Sequence, residues 1–286
     1  MKVPSSKHAS LLTIGQGCVY GCSFLRNIIL ARTLTKADFG LAAVFAMTIT
    51  LLELGNKMSF GVQIIQTQNT SKSHLQANLH SAMVLSGLLS GLLILGLSKP
   101  FSILFNAQHA SSGFALLALV PLLRSFEHLD HFRFRRNYNY KPGILVELLP
   151  QLLVTIIAWP LARHLNDYRA VVYLVLARSA TSLVMTHLVA KTPYDLKFKG
   201  RHFRSIFRFS WPLLLNGFVL FGAQQADQLL IGSFLTLEDL ALYYSAFTLA
   251  IVPYYIIGPV QNSSPIAARG TRTKIDMNTV EPRNLQ

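Results

Sequence analysis

Long apolar stretches separated by short polar connections dominate the chain, at about 11–30, 40–60, 79–98, 113–126, 143–161, 170–190, 209–231 and 240–260. None alternates with the period of a strand, and most reach the roughly 20 residues a helix needs to cross about 30 Å of hydrocarbon. The pattern predicts an all-α polytopic membrane protein with about eight transmembrane helices. The fourth stretch is short and contains Pro121. If it failed to cross, every later segment would change sides.

Charge then tests the topology. With the N-terminus on the cytoplasmic side, the inner segments hold 19 of the 26 Lys and Arg residues, concentrated in 124–141 and 191–208. Short loops retain Lys and Arg on that face, so the bias predicts an N-terminus inside and contact with anionic headgroups. It also accounts for a formal charge of +14 without nucleic acid. Composition agrees, with 51% hydrophobic and 13% charged residues, about half the charge of a soluble domain. The first stretch follows Lys2 and Lys7 as a signal peptide would, but it lacks a small-residue cleavage site and reads as an uncleaved span. Cys18 and Cys22 form neither a disulfide framework nor a zinc ligand set.

Leu34-Thr35-x-x-Asp38-x-x-Leu41 recurs 201 residues later as Leu235-Thr236-x-x-Asp239-x-x-Leu242, each copy between two long apolar stretches. Internal repeats of this kind build many transporters. The expected organisation is a six-helix lobe over 1–190, a basic cytoplasmic linker over 191–208, the first helix pair of a second lobe over 209–260, and a polar tail over 261–286. On this reading the second lobe is incomplete.

Two blocks carry a family resemblance. The run from Ile29 through Ala31-Arg32-Thr33-Leu34-Thr35-Lys36-Ala37-Asp38-Phe39-Gly40 to Leu41 resembles the early region of bacterial oligosaccharide flippases of the Wzx type. The pair Asp227-Gln-Leu-Leu-Ile-Gly-Ser-Phe-Leu235 and Leu242-Tyr-Tyr-Ser-Ala-Phe-Thr-Leu-Ala-Ile-Val-Pro253 is similar to the seventh and eighth spans of the same proteins. They belong to the multidrug, oligosaccharidyl-lipid and polysaccharide exporter superfamily, whose fold is MATE-like. The resemblance implies a protein of the bacterial inner membrane that flips an undecaprenyl-pyrophosphate-linked oligosaccharide for surface polysaccharide such as O-antigen, by alternating access and without breaking a bond. Its partners would be the lipid-linked oligosaccharide, membrane lipids, and a polysaccharide polymerase or glycosyltransferase. No cofactor is implied beyond a coupling proton or sodium ion. The alternatives are a multidrug or lipid II exporter of the same superfamily, an inactive partial subunit, and a membrane glycan-assembly enzyme. The short outer loops disfavour the enzyme.

An anionic cargo calls for buried cations, and intramembrane charges are costly enough to face a cavity or a partner. Arg26 ends a helical stripe formed with Gly15, Cys18 and Cys22, and Arg178 lies deep in the sixth stretch, so both are candidate substrate-binding residues. In the seventh stretch Asn216, Gln224, Asp227 and Gln228 make a polar face. The repeat maps Arg26 onto Asp227, which is expected either to bind a coupling ion or to pair with Arg26 as a gate. Glu53 can join the cavity or pair locally with Lys57, four residues on. Glu147 reads as an interfacial carboxylate without special role. The cluster Glu127-His128-Leu129-Asp130-His131 lacks metal-ligand spacing and reads as a solvated face at the inner surface. Gly17-x-x-x-Gly21 and Gly87-x-x-x-Gly91 are assigned to close helix packing.

Overall fold

A computed structural model of the chain describes residues 6–66, 72–136, 139–197 and 200–262. Among the described residues all regular structure is helical. The helices are α1 (Ser6–Thr33), α2 (Lys36–Gln66), α3 (Lys72–Leu104), α4 (Ser111–Leu117), α5 (Leu119–Ser125), α6 (Asp130–Arg136), α7 (Lys141–Leu165), α8 (Arg169–Val189), α9 (Gly200–Phe234) and α10 (Leu237–Asn262), with a 3-10 turn at Gln108–Ala110.

Among the described residues, three stretches are long and apolar enough to cross a membrane: Gln76–Leu104, Lys141–Leu165 and Arg169–Val189. Their outward faces identify the solvent. On α3, Leu85, Leu88, Leu89, Leu92, Leu93 and Leu95 are exposed, and on α7 the stripe Leu145, Leu149, Leu152, Leu153, Ile156 and Trp159 is exposed as well. Apolar faces of that extent are stable against hydrocarbon and not against water. The chain is therefore an all-helical polytopic membrane protein.

The repeated Leu-Thr-x-x-Asp motif is a pair of matching helix starts. Thr35 precedes α2, and its hydroxyl accepts the Asp38 N–H at 3.1 Å and donates to the Asp38 carboxylate at 2.6 Å. Thr236 precedes α10 with the same two contacts to Asp239, at 3.1 and 2.6 Å, and the Asp239 carboxylate also accepts the Thr236 N–H at 3.2 Å. Each threonine satisfies a backbone donor that a helix start leaves orphaned, a contribution of about 1 kcal/mol. The hydrogen bonds from Thr236 hold the Asp239 carboxyl below the usual carboxylate range. The helix ends keep the register too: α1 and α9 stop at Thr33 and Phe234, and α2 and α10 start at Lys36 and Leu237.

The fourth apolar stretch is helical in two pieces. Pro121 has no N–H for the Leu117 carbonyl, so the helix breaks at Ala118 into α4 and α5 while the backbone there stays right-handed. At one end of this stretch His109 offers its carbonyl to the Tyr168 hydroxyl at 3.1 Å. At the other, Phe126 offers its carbonyl to His187 at 2.9 Å. The connections around 34–36, 105–110, 166–168 and 235–237 thus gather at one end, knit by the buried residues Leu34, Phe39, Phe105, Tyr168 and Leu240. Those at 126–129 and 190–197 gather at the opposite end, where Lys197 N–H reaches the Ala77 carbonyl at 3.4 Å. The short stretch therefore runs from one end of the bundle to the other.

Helices α8, α7 and α1 pack in that order in a row, α3 lies along α4 and α5, and α5 meets α8. Helix α2 packs chiefly on α9 and α10, and α1 also meets α10. Gly87 and Gly91 act as the spacing suggests: a Cβ on either would press on the Pro121 carbonyl, Ser125 or the Ala118 carbonyl of the α4–α5 segment. Gly17 and Gly21 do not, since each faces open space. Half of the expected linker, 200–208, is helix, because α9 begins at Gly200.

Candidate functional site

A cavity of about 380 Å³ opens inside the bundle formed by α1, α2, α3, α5, α7 and α8. Its polar wall holds Arg124 and Arg178, Glu127 and Glu147, with Gln16 and His131 beside them. The remaining wall is apolar, including Val19, Ile49, Phe60, Met83 and Ile94. Gln16 donates to the Glu147 carboxylate at 2.8 Å, tying α1 to α7, and Arg124 Nε reaches Ser179 Oγ at 3.4 Å, tying α5 to α8. Two guanidiniums and two carboxylates leave the empty site without net formal charge, which limits the cost of keeping it in a membrane interior. Guanidiniums are suited to bidentate phosphate contact, and the apolar wall strengthens any such contact by lowering the local dielectric.

The sequence-derived candidates separate. Arg178 lines this cavity. Arg26 does not; its guanidinium stays on its own helix, 3.5 Å from Ser23 Oγ and 3.3 Å from Asn27 Oδ1. The stripe leading to Arg26 packs on α7, with Gly15 against Ile144 and the Cys22 carbonyl accepting from Thr155 at 3.1 Å. Asp227 is bonded by the Tyr243 hydroxyl of α10 and caps its neighbour's N–H at 2.8 Å, so it does not pair with Arg26 in this structure. Gln224 is exposed on α9. Glu53 lies on α2, and its side chain, like that of Lys57, falls outside the described residues.

Sequence reasoning missed Arg124 and Glu147 as cavity residues. Glu147, read as an idle interfacial carboxylate, sits in the wall. Its spacing from Gln151, Val154 and Ala158, all buried, was the available signal.

The 127–131 cluster is the clearest correction. It is not a solvated face: His128, Leu129, Asp130 and His131 are buried, Asp130 at 1% exposure. Asp130 accepts the Lys191 N–H at 2.7 Å and pairs with Arg133 at 3.2 Å, clamping the 190–197 connection to the bundle. The His128 N–H donates to Thr186 of α8 at 3.1 Å, and the Leu129 N–H to His80 Nε2 of α3 at 3.3 Å. His80 stacks on Tyr194 with centroids 4.4 Å apart, and burial pushes the Tyr194 phenol up to about 12. These hydrogen bonds join three helices and a connection, and no group of metal-ligating side chains occurs among the described residues.

Burial, with His187 nearby, holds the His128 imidazole below its usual range against the opposing pull of Asp130. His128 Nδ1 accepts the Asp130 N–H at 3.1 Å, so protonating that nitrogen sets two donors against each other. A depressed histidine contributes stability that is complete above its unfolded value of about 6.5 and is lost as the pH falls below it. His80 from α3, His187 from α8, Tyr194 and Lys191 from the connection, and Asp130 complete the titratable and charged surroundings. The thermal midpoint in detergent is expected to fall between about pH 8 and about pH 5, and His128→Asn to flatten that fall. An unchanged slope in the variant would remove His128 as its source.

No curated protein and no solved structure matches the chain. A family model described as polysaccharide biosynthesis protein matches it over residues 29–269. With its helices, its lipid-facing leucine stripes and that match together, this membrane protein belongs to the polysaccharide biosynthesis protein family.

Proposed function

We propose that the protein translocates an undecaprenyl-pyrophosphate-linked oligosaccharide across the bacterial inner membrane for surface polysaccharide assembly, with its basic end and N-terminus cytoplasmic. The observation that carries this is the pair Arg124 and Arg178 in one apolar-walled cavity open to the bundle interior. A diphosphate brings two adjacent anionic groups, and two guanidiniums on different helices bind both without a metal. The polyprenyl chain stays in the bilayer along the leucine stripes. No bond forms or breaks, so the reaction class is transport. Asp227, hydrogen-bonded by Tyr243 of α10, would couple a proton or sodium ion to movement of that helix pair against α1 and α2. A first six-helix lobe and the opening pair of a second would move as the two halves, with a polymerase or glycosyltransferase as partner.

The test is reconstitution of the full chain in vesicles carrying a fluorescent polyprenyl-diphosphate sugar in one leaflet. Protein-dependent appearance of the sugar in the other leaflet is expected. Equal rates in vesicles with and without protein would refute the reading.

A further inference from the structure

The connection 190–197, which leads from α8 toward α9, is pinned to the turn that forms one side of the arginine cavity. In that turn Glu127, Leu129, His131 and Phe132 line the cavity. His80 of α3 holds both segments. Its Nε2 accepts the Leu129 N–H at 3.3 Å, so the ring proton sits on Nδ1, which donates to the Asp195 carbonyl at 3.3 Å. We infer that His80 is a positioning residue tying the 190–197 connection to the cavity wall, so that a diphosphate held by Arg124 and Arg178 is registered at the connection. The inference rests on the transport reading and adds a means of signalling occupancy toward α9.

The imidazole has no spare nitrogen. One faces the wall and the other the connection, and at 1% exposure water does not compete for either. The same two segments meet again beside it, since Asp130, next to Leu129, accepts the Lys191 N–H at 2.7 Å. Gln76, one turn before His80, donates to Thr192 at 3.3 Å, and the Tyr194 ring stacks on His80 with centroids 4.4 Å apart. A displacement of Leu129 thus passes to the connection through directional contacts rather than through apolar side chains that can repack.

The junction is also able to let go. Leu129 packs with Phe60, Leu79 and Met83 in a small apolar cluster apart from the main core, so the wall segment can shift without unpacking the bundle. The Tyr194 hydroxyl is buried and makes no hydrogen bond among the described residues, a cost of about 1–3 kcal/mol that release to water removes. Hydrogen bonds that attach the connection are therefore opposed by an unpaired hydroxyl that favours its release. A ligand that fixes the wall shifts this balance toward attachment.

The experiment is hydrogen–deuterium exchange of the purified full chain, read by mass spectrometry with and without saturating undecaprenyl diphosphate. The Lys191 and Lys197 amides, bonded to Asp130 and to the Ala77 carbonyl, report on attachment. Exchange over 190–197 is expected to slow by about fivefold or more with the probe, the low end of ordinary coupling between sites. His80→Gln keeps an acceptor near the Nε2 position and His80→Asn a donor near the Nδ1 position, so each retains one of the two bonds. Both variants should bind the probe and lose the slowing. A histidine that merely supported the fold would instead raise exchange equally with and without the probe, and a slowing preserved in both variants overturns the inference. So does an unmodified protein that binds the probe with no change over 190–197, or with the same slowing over 105–110 at the opposite end; this comparison stands even where a variant fails to fold. Failure of the unmodified protein to bind the probe overturns the transport reading and this inference with it.

Discussion

Arg178→Gln is expected to weaken binding of undecaprenyl diphosphate by about 10- to 100-fold and to slow translocation at least as much. Hydrogen bonds to charged groups contribute about 1.5–3 kcal/mol each, and every 1.4 kcal/mol is a factor of ten. Arg178 lies in a largely apolar wall, where screening by water is weak. Arg178→Lys keeps the charge but loses the planar fork, so it should fall between Gln and the unmodified residue. Arg124 shares the cavity from another helix, and Arg124→Gln should act similarly, with the double change less than additive because both contact one ligand. Thermal midpoints measured alongside separate loss of binding from loss of fold. Full affinity in a stable Arg178→Gln protein would dissociate this cavity from the diphosphate.

Gly40→Val is expected to cost more in stability than any other single change considered. Gly40 lies in the first turns of α2, and a Cβ there would collide with the Leu237 carbonyl oxygen at the start of α10. The obstacle is backbone, so no side-chain rotation relieves it; α2 and α10 must separate. Overpacking against a movable neighbour costs about 1–3 kcal/mol, and a rigid one places this change at or beyond the top of that range. Even Gly40→Ala should destabilise, although alanine ordinarily improves a helix by about 1 kcal/mol over glycine. Gly17→Ala, facing open space, is the control and should leave the midpoint unchanged or slightly raised. Thermal unfolding in detergent distinguishes the two. A Gly40→Val protein as stable as the unmodified one would show that α2 and α10 do not approach this closely.

The same contact explains why the repeat was visible in the sequence. Thr35 with Asp38 and Thr236 with Asp239 start two helices at corresponding positions, and those starts meet at Gly40 and Leu237. Capping is local chemistry, read from residues three apart, so the motif announced both helix boundaries before any packing was known. Gly87 and Gly91 were legible for a similar reason, as small residues one turn apart on an apolar helix. The identical spacing at Gly17 and Gly21 meant something else, because what a glycine faces is a property of the neighbouring helices.

The sequence alone determined the solvent, the helical class, the order of the long helices and the matched starts of α2 and α10. Each follows from local length, apolar content or capping. Only the tertiary structure decided that Glu147 and Arg124 join Arg178 in one cavity, that Arg26 stays on its own helix, and that the 128–131 cluster is buried. In a water-soluble protein the apolar face of a helix marks its inner side. Here lipid makes the outer side apolar as well, so periodicity groups residues by face without telling which face turns inward.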